Sequence, residues 1–278
     1  MSDGSLPTRF RVGSWVVSER RNVVYDKSTK ESNPLDEQTA IDVPILSLDA
    51  RLTRRVGLQV ATAIPIIVRT GTVTRPSGVL NFRDSVRGLG DTTLGAWYRR
   101  SKKRWTWTAN AGLSIPTGSS RKPVFRPELE GGSLVPLSRL SRGSGTWDPL
   151  LGLVVERQLG GGRWVSSAAA RTPVGQNKEG LRVGASWEIG SGWAHTVRTH
   201  KVMGYARADW LHREHDVFNG TPVLVGGGHW IYASPGLAVM VGKGVNVQAE
   251  VKLPLYRNLA NRQLDSRAIF QFGISRSF

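Results

Sequence analysis

From residue 245 to residue 255 the chain reads VNVQAEVKLPL, and apolar and polar residues alternate without a break. Val245, Val247, Ala249, Val251, Leu253 and Leu255 share one parity; Asn246, Gln248, Glu250, Lys252 and Pro254 share the other. Side chains along a β-strand point alternately to opposite faces, so this segment forms a strand with one greasy face and one polar face. The same period of two predicts strands near residues 9–19, 41–53, 56–69, 90–100, 103–115, 146–158, 163–174, 179–190, 200–212, 227–241, 244–256 and 265–278. In RWTWTANAGLSI the apolar side carries Trp105, Trp107, Ala109, Ala111, Leu113 and Ile115. In LRVGASWEI it carries Leu181, Val183, Ala185, Trp187 and Ile189, with Arg182, Ser186 and Glu188 opposite. The last segment sets Phe270, Phe272, Ile274 and Phe278 against Gln271, Ser275 and Ser277. Helical periodicity is nearly absent.

Strand length decides between two all-β architectures. Strands of globular proteins average about five or six residues, whereas a tilted membrane-crossing strand needs about nine to eleven. The predicted strands are of the second kind. Their connections also alternate. Tight turns fall near Arg54-Arg55, Ser101-Lys102, Gly160-Gly162 and Gly242-Lys243, with a slightly longer one near residues 191–199. Longer links fall near residues 20–40, 70–89, 116–145, 213–226 and 257–264, and residues 175–178 form a short link where a long one is due. Short turns at one end and long loops at the other are the layout of an outer-membrane barrel, whose greasy face meets lipid and whose polar face lines the interior. The fold expected is therefore all-β: one antiparallel transmembrane β-barrel of about 12 strands, with long extracellular loops and short periplasmic turns. It spans residues 1–278 as a single domain, since no linker rich in Pro, Gly and Ser divides the chain.

Composition sharpens this picture. The ten Trp suit a membrane interface, where an apolar body and a polar N–H are both satisfied. A mean hydropathy of −0.25 fits no helical membrane protein, yet it fits a barrel whose inward half is polar. With no Cys there are no thiol-based sites and no disulfides. The first residues, MSDGSLPTRF, lack a basic segment followed by an apolar core, so the sequence is expected to be a mature form from which a signal peptide has been removed. The net charge of +17 raises nucleic-acid binding as a function class. The basic residues cluster in short connections, with no base-reading element beside them, and nucleic acid is set aside as a partner.

Three short segments add a family resemblance. Residues 88–99, GLGDTTLGAWYR, residues 113–118, LSIPTG, and residues 143–148, GSGTWD, resemble, in order and spacing, motifs of a transporter-like group of bacterial outer-membrane barrels, the MetA-pathway of phenol degradation group. They span about a fifth of the chain. The resemblance implies a barrel that passes small compounds, aromatic ones included, across the outer membrane. One departure is Arg276, which stands where such barrels usually carry an apolar residue two places before the end.

Candidate chemistry is concentrated in the inward charges. Asp91, Arg99, Arg182, Glu188, Arg207, Asp209, Glu250 and Lys252 are expected to line the lumen, with Asp91 in need of a cation partner such as an inward Arg. Lumen charges of both signs nearly balance, which fits either a water-filled passage or an interior closed by ion pairs. The segment HREHD, residues 212–216, is read as a charged rim at a strand end, and the Gly runs at 160–162 and 226–228 as a turn and a strand-entry bend. No catalytic, cofactor or metal site is assigned, and the protein is not expected to be an enzyme. The leading expectation is a passive channel for small solutes, surrounded by outer-membrane lipid. The alternative is a non-conducting barrel that anchors or joins a multiprotein envelope assembly. A periplasmic rim of Arg54, Arg55, Arg100, Lys102, Lys103, Arg104, Arg163 and Lys243 would dock the envelope protein partner in that case.

Overall fold

The computed structural model describes residues 10–75, 78–118, 123–125, 134–136, 141–197, 201–223, 226–242 and 244–278. Twelve antiparallel strands follow one another in chain order: β1 (Phe10–Asp26), β2 (Gln38–Arg51), β3 (Val56–Ala63), β4 (Thr92–Lys102), β5 (Trp105–Ile115) and β6 (Asp148–Leu159), then β7 (Gly162–Arg171), β8 (Ser186–Val197), β9 (Val202–Arg213), β10 (Gly228–Val241), β11 (Val245–Leu259) and β12 (Gln263–Ser277). Each pairs with its neighbours in sequence, and β12 pairs back onto β1 from Arg11↔Ser277 to Tyr25↔Gln263. The sheet is therefore a closed barrel, and closure removes the unpaired edges that no lipid could hydrate. Among the described residues there is no helix.

The register fixes the shape. Following partners once around from Gly244, through Ser277, Arg11, Asp49, Gln59, Gly95, Gly112, Leu150, Arg171, Ser186, Arg213 and Gly228, leads to Leu259, fifteen residues further along the same strand. A stagger of that size tilts the strands by about 40° and lets twelve of them close.

One cross-barrel contact tells inside from outside. Lys252 Nζ lies 2.7 Å from Glu188 Oε1, although β8 and β11 are separated by two strands, so both side chains project into the interior. Directly opposite residues share a face, and the inward set then propagates through the register. The outer face so defined carries Leu46, Leu58, Leu94, Leu151, Ile189, Leu253 and Phe270, all exposed, as a lipid-facing surface requires. Trp105, Trp107, Trp164 and Trp193 ring its turn end; Trp187 and Trp210 lie toward the loop end.

Several expectations are corrected. The strand expected near 179–190 begins only at Ser186; Leu181–Arg182 instead pairs with Val217–Phe218, which pairs with Thr221–Pro222, in a small sheet over the loop end. The link between β7 and β8 thus runs from 172 to 185, and the short link at 175–178 disappears into a long loop. The loop expected near 70–89 is largely a hairpin, Ile66–Arg75 with Gly78–Arg87, whose first strand extends the sheet along β2. The long link near 257–264 shrinks to residues 260–262, because β11 and β12 extend past the barrel wall.

Candidate functional site: the barrel interior

The interior is lopsided. Toward the loop end, on the side of β9 to β12 and β1, it is filled. Trp230, Tyr232 and Leu259 are buried there and pack with Tyr25, Leu211 and Ile269. Burial of Trp230 is possible because its indole N–H donates to Asp265 Oδ2 at 3.0 Å, and Asp265 also meets Arg257 at 3.3 Å. Arg21 pairs with Glu19 at 2.7 Å beside them. Lower down, Asp209 is 2% exposed and accepts from Ser234 Oγ at 2.6 Å and Arg207 Nη2 at 2.9 Å; the same Arg207 nitrogen reaches Ser167 Oγ at 2.7 Å. Every buried charge here has a counter-charge, which is the condition for keeping it in a low-dielectric interior.

The opposite wall, β3 to β7, presents small groups: Ala61 and Ala63 on β3, Gly95 on β4, Gly112 on β5, Gly152 on β6 and Ala169 on β7. Open space follows that wall. A cavity of about 360 Å³ is bordered by Gln59, Thr93, Asn110, Gly152, Ala169 and Glu188, and Ala169 remains exposed although it faces inward. At the turn end a second cavity of about 650 Å³ lies across the barrel, mainly against β8 to β12 and β1, and is bordered by Arg11, Gln158, Arg163, Lys201, Met203 and Gln248. Between these levels Trp97 stands against Gly57, whose missing side chain makes room for the ring, and donates its N–H to Asp49 at 2.9 Å.

The residues expected in the lumen separate into three groups. Glu188, Arg207, Asp209, Glu250 and Lys252 face inward on β8, β9 and β11, and Arg99 faces inward on β4, 4.0 Å from Glu156. Asp91 and Arg182 stand elsewhere. Arg182 belongs to the small loop sheet and borders a cleft above the barrel wall, because the chain there pairs with Val217 rather than with β7. Asp91 has no Arg partner among the described residues. Its carboxylate instead accepts from Gly118 N at 3.1 Å, Ser144 N at 2.7 Å and Ser144 Oγ at 2.9 Å. Thr117 Oγ1 adds a bond to Gly90 O at 2.9 Å, and a side chain on Gly143 would come within 2.0 Å of Asp91 Oδ1. The three motifs at 88–99, 113–118 and 143–148 thus meet at one carboxylate, which ties the two ends of the 116–147 link to the mouth. Asp148, fully buried, completes the last motif by accepting from Thr146 Oγ1 at 2.6 Å and from Arg171 Nε at 2.9 Å.

At the turn end Arg54, Arg55, Lys103 and Arg104 are exposed in the connections after β2 and β4, and Arg100 and Lys102 are exposed at the end of β4. Arg163 departs from the expected rim: it points inward, 3.5 Å from Glu156, at the mouth. Lys243 lies outside the described residues. Sequence reasoning missed the inward aromatic groups Trp15 and Trp230. Trp15 lies over Gly273, where any β-carbon would sit 2.1 Å from the ring, and only the pairing of β1 with β12 brings the two together.

No protein-family model and no curated relative matches the chain. Solved structures do. An outer membrane channel of COG4313 from Pseudomonas putida F1 superposes with a TM-score of 0.74 at 15% identity, over 100% of both chains. The β-domain of the Bordetella autotransporter BrkA gives 0.52 at 15% identity, over 97% of this chain and 100% of its own. The TodX deltaS2S3 mutant monoaromatic hydrocarbon channel gives 0.51 at 11% identity, over 98% and 91%. The chain has the fold of bacterial outer-membrane β-barrels.

Proposed function

We propose that the protein is a passive channel of the bacterial outer membrane for small solutes, aromatic compounds among them. The observation that carries this reading is the uneven packing of the interior: large side chains crowd the loop end of β9 to β12 and β1, while small residues on β3 to β7 leave a cavity of about 360 Å³ beside them. A barrel filled for stability alone would be packed on both sides. The fold likeness to a COG4313 channel and to the TodX channel supports the reading, as does the resemblance of residues 88–148 to transporter-like barrels. The cavity carries Thr93, Asn110 and Gly152 beside Leu150 and the edge of Glu188, a surface on which a small ring with one polar substituent is wetted on both sides. Glu188 borders the cavity and Arg99 faces inward on β4 below it, while Arg207, Asp209, Glu250 and Lys252 line the facing half of the interior. Purified protein in planar bilayers is expected to conduct, and Ala169→Trp, which plants an indole in the open half, is expected to lower conductance while heat-modifiable gel migration stays normal. A folded wild-type barrel that leaves liposomes impermeable would sink the proposal.

The six exposed cations at the turn ends of β2 and β4 favour a second reading, a barrel that docks an acidic envelope protein at its periplasmic rim. Such docking would be steered by charge and screened by salt. Gentle extraction at low ionic strength should then yield a stoichiometric partner that is lost at high salt. A lone barrel at low salt leaves the rim to anionic lipid headgroups.

A further inference from the structure

Where β9 and β10 reach the loop end, two imidazoles stand side by side on the outer face. His212 and His229 are directly opposite in the register, their ring centroids are 4.4 Å apart, and Nδ1 of one lies 3.1 Å from Nδ1 of the other. Two ring nitrogens bound to one ion at about 2.0–2.1 Å stand roughly 2.9–3.4 Å apart for angles between square and tetrahedral. The observed spacing falls inside that bite. We propose that His212 and His229 form a two-imidazole chelate for a divalent transition-metal ion of the Cu(II), Ni(II) or Zn(II) class, with the remaining coordination positions left to water or solutes.

Three observations carry this beyond a chance pair. The rings are held in place: Trp187 stacks on His212 at 5.1 Å with 17° between planes, and Trp210 stacks on both rings at 6.1 Å. Preset orientation of the donor nitrogens is what a chelate gains from its surroundings. The pair also opens on a cleft of about 660 Å³ between the barrel wall and the small loop sheet, which gives an ion an entry path and room for further ligands. Finally, Glu214 and His215 border the same cleft, and the buried Nδ1 of His215 has no hydrogen-bond partner. The donor set, two imidazole nitrogens, selects borderline transition metals over Ca²⁺ or Mg²⁺, which take oxygen shells.

The same 3.1 Å also suits an N–H···N hydrogen bond between neutral rings, and experiment separates the two. Titration of the folded, detergent-solubilised full chain with Cu(II) should give one equivalent whose electron paramagnetic resonance spectrum shows two coordinated nitrogens. Quenching of indole fluorescence should accompany it, because Trp187 and Trp210 lie against the rings. His212→Gln and His229→Gln should each abolish the two-nitrogen signature, whereas His195→Gln, at the turn end of β8, should leave it intact. As a check that needs no variant, Zn(II) should protect His212 and His229 of the wild-type protein from carbethoxylation, read by mass spectrometry. Binding that survives either substitution, or wild-type protein that shows neither the nitrogen signature nor zinc protection, overturns the site and leaves the rings a hydrogen-bonded pair.

Discussion

A single carboxylate organises the mouth of this barrel. Asp91 takes three hydrogen bonds from Gly118 and Ser144, residues near the two ends of the long link between β5 and β6. Bonds to a charged acceptor are each worth about 1.5–3 kcal/mol when formed in a partly buried site. Asp91→Ala is therefore expected to destabilise the loop end by about 2–4 kcal/mol, most of it local. The readout is protease cleavage between residues 116 and 147, which should accelerate in the variant while the barrel stays folded; unchanged cleavage would show that the clamp is dispensable. The chemistry of this residue was half legible in the sequence. An inward Asp between glycines announces a carboxylate that needs partners. That the partners are backbone and hydroxyl donors depends on two loops converging from distant strands, which no local pattern encodes.

At the scale of the element, period-2 alternation located all twelve wall strands because membrane and lumen impose opposite polarity on successive residues. It failed where that opposition ends. Along β11 the alternation holds through Leu255, and a bulge then puts two residues, Leu255 and Tyr256, on the outside together. Arg257 and Leu259 consequently turn inward, against the parity that a continuous count would give them. A bulge adds one residue to one strand and leaves no mark in polarity. The segment 179–185 misled for the opposite reason: it alternates, but it pairs with Val217–Phe218 in a two-faced loop sheet above the membrane. The hairpin Ile66–Arg75 with Gly78–Arg87 was hidden likewise, since its strands extend the wall instead of crossing the bilayer.

For the whole molecule, the decisive quantity is where charge sits relative to the open space. Most lumen charges are paired off in the filled half, as in Arg207 with Asp209 and Arg257 with Asp265, and much of the excess of +17 lies in turns and loops. Groups that still face open space are few. Arg99 is 47% exposed and Arg163 35%, while the Glu156 between them is 22% exposed; at the upper end Arg171 is 38% exposed above a fully buried Asp148. Among the described residues Glu188, paired with Lys252, is the one anion of comparable exposure bordering the cavity, at 39%. Cations thus outweigh anions along the accessible surface, and the channel should prefer anions mildly in a salt gradient. The preference should fade as ionic strength rises from about 0.1 M to 1 M, where the screening length falls from about 10 Å to 3 Å. Arg99 is the residue to change, since its 4.0 Å contact with Glu156 is loose and Arg163 holds the same carboxylate at 3.5 Å. Arg99→Gln should keep the fold and the conductance while moving the reversal potential toward cation selectivity. A cation-selective wild type, or a conducting variant whose reversal potential does not move, would show that ions take a route other than the wall of small residues.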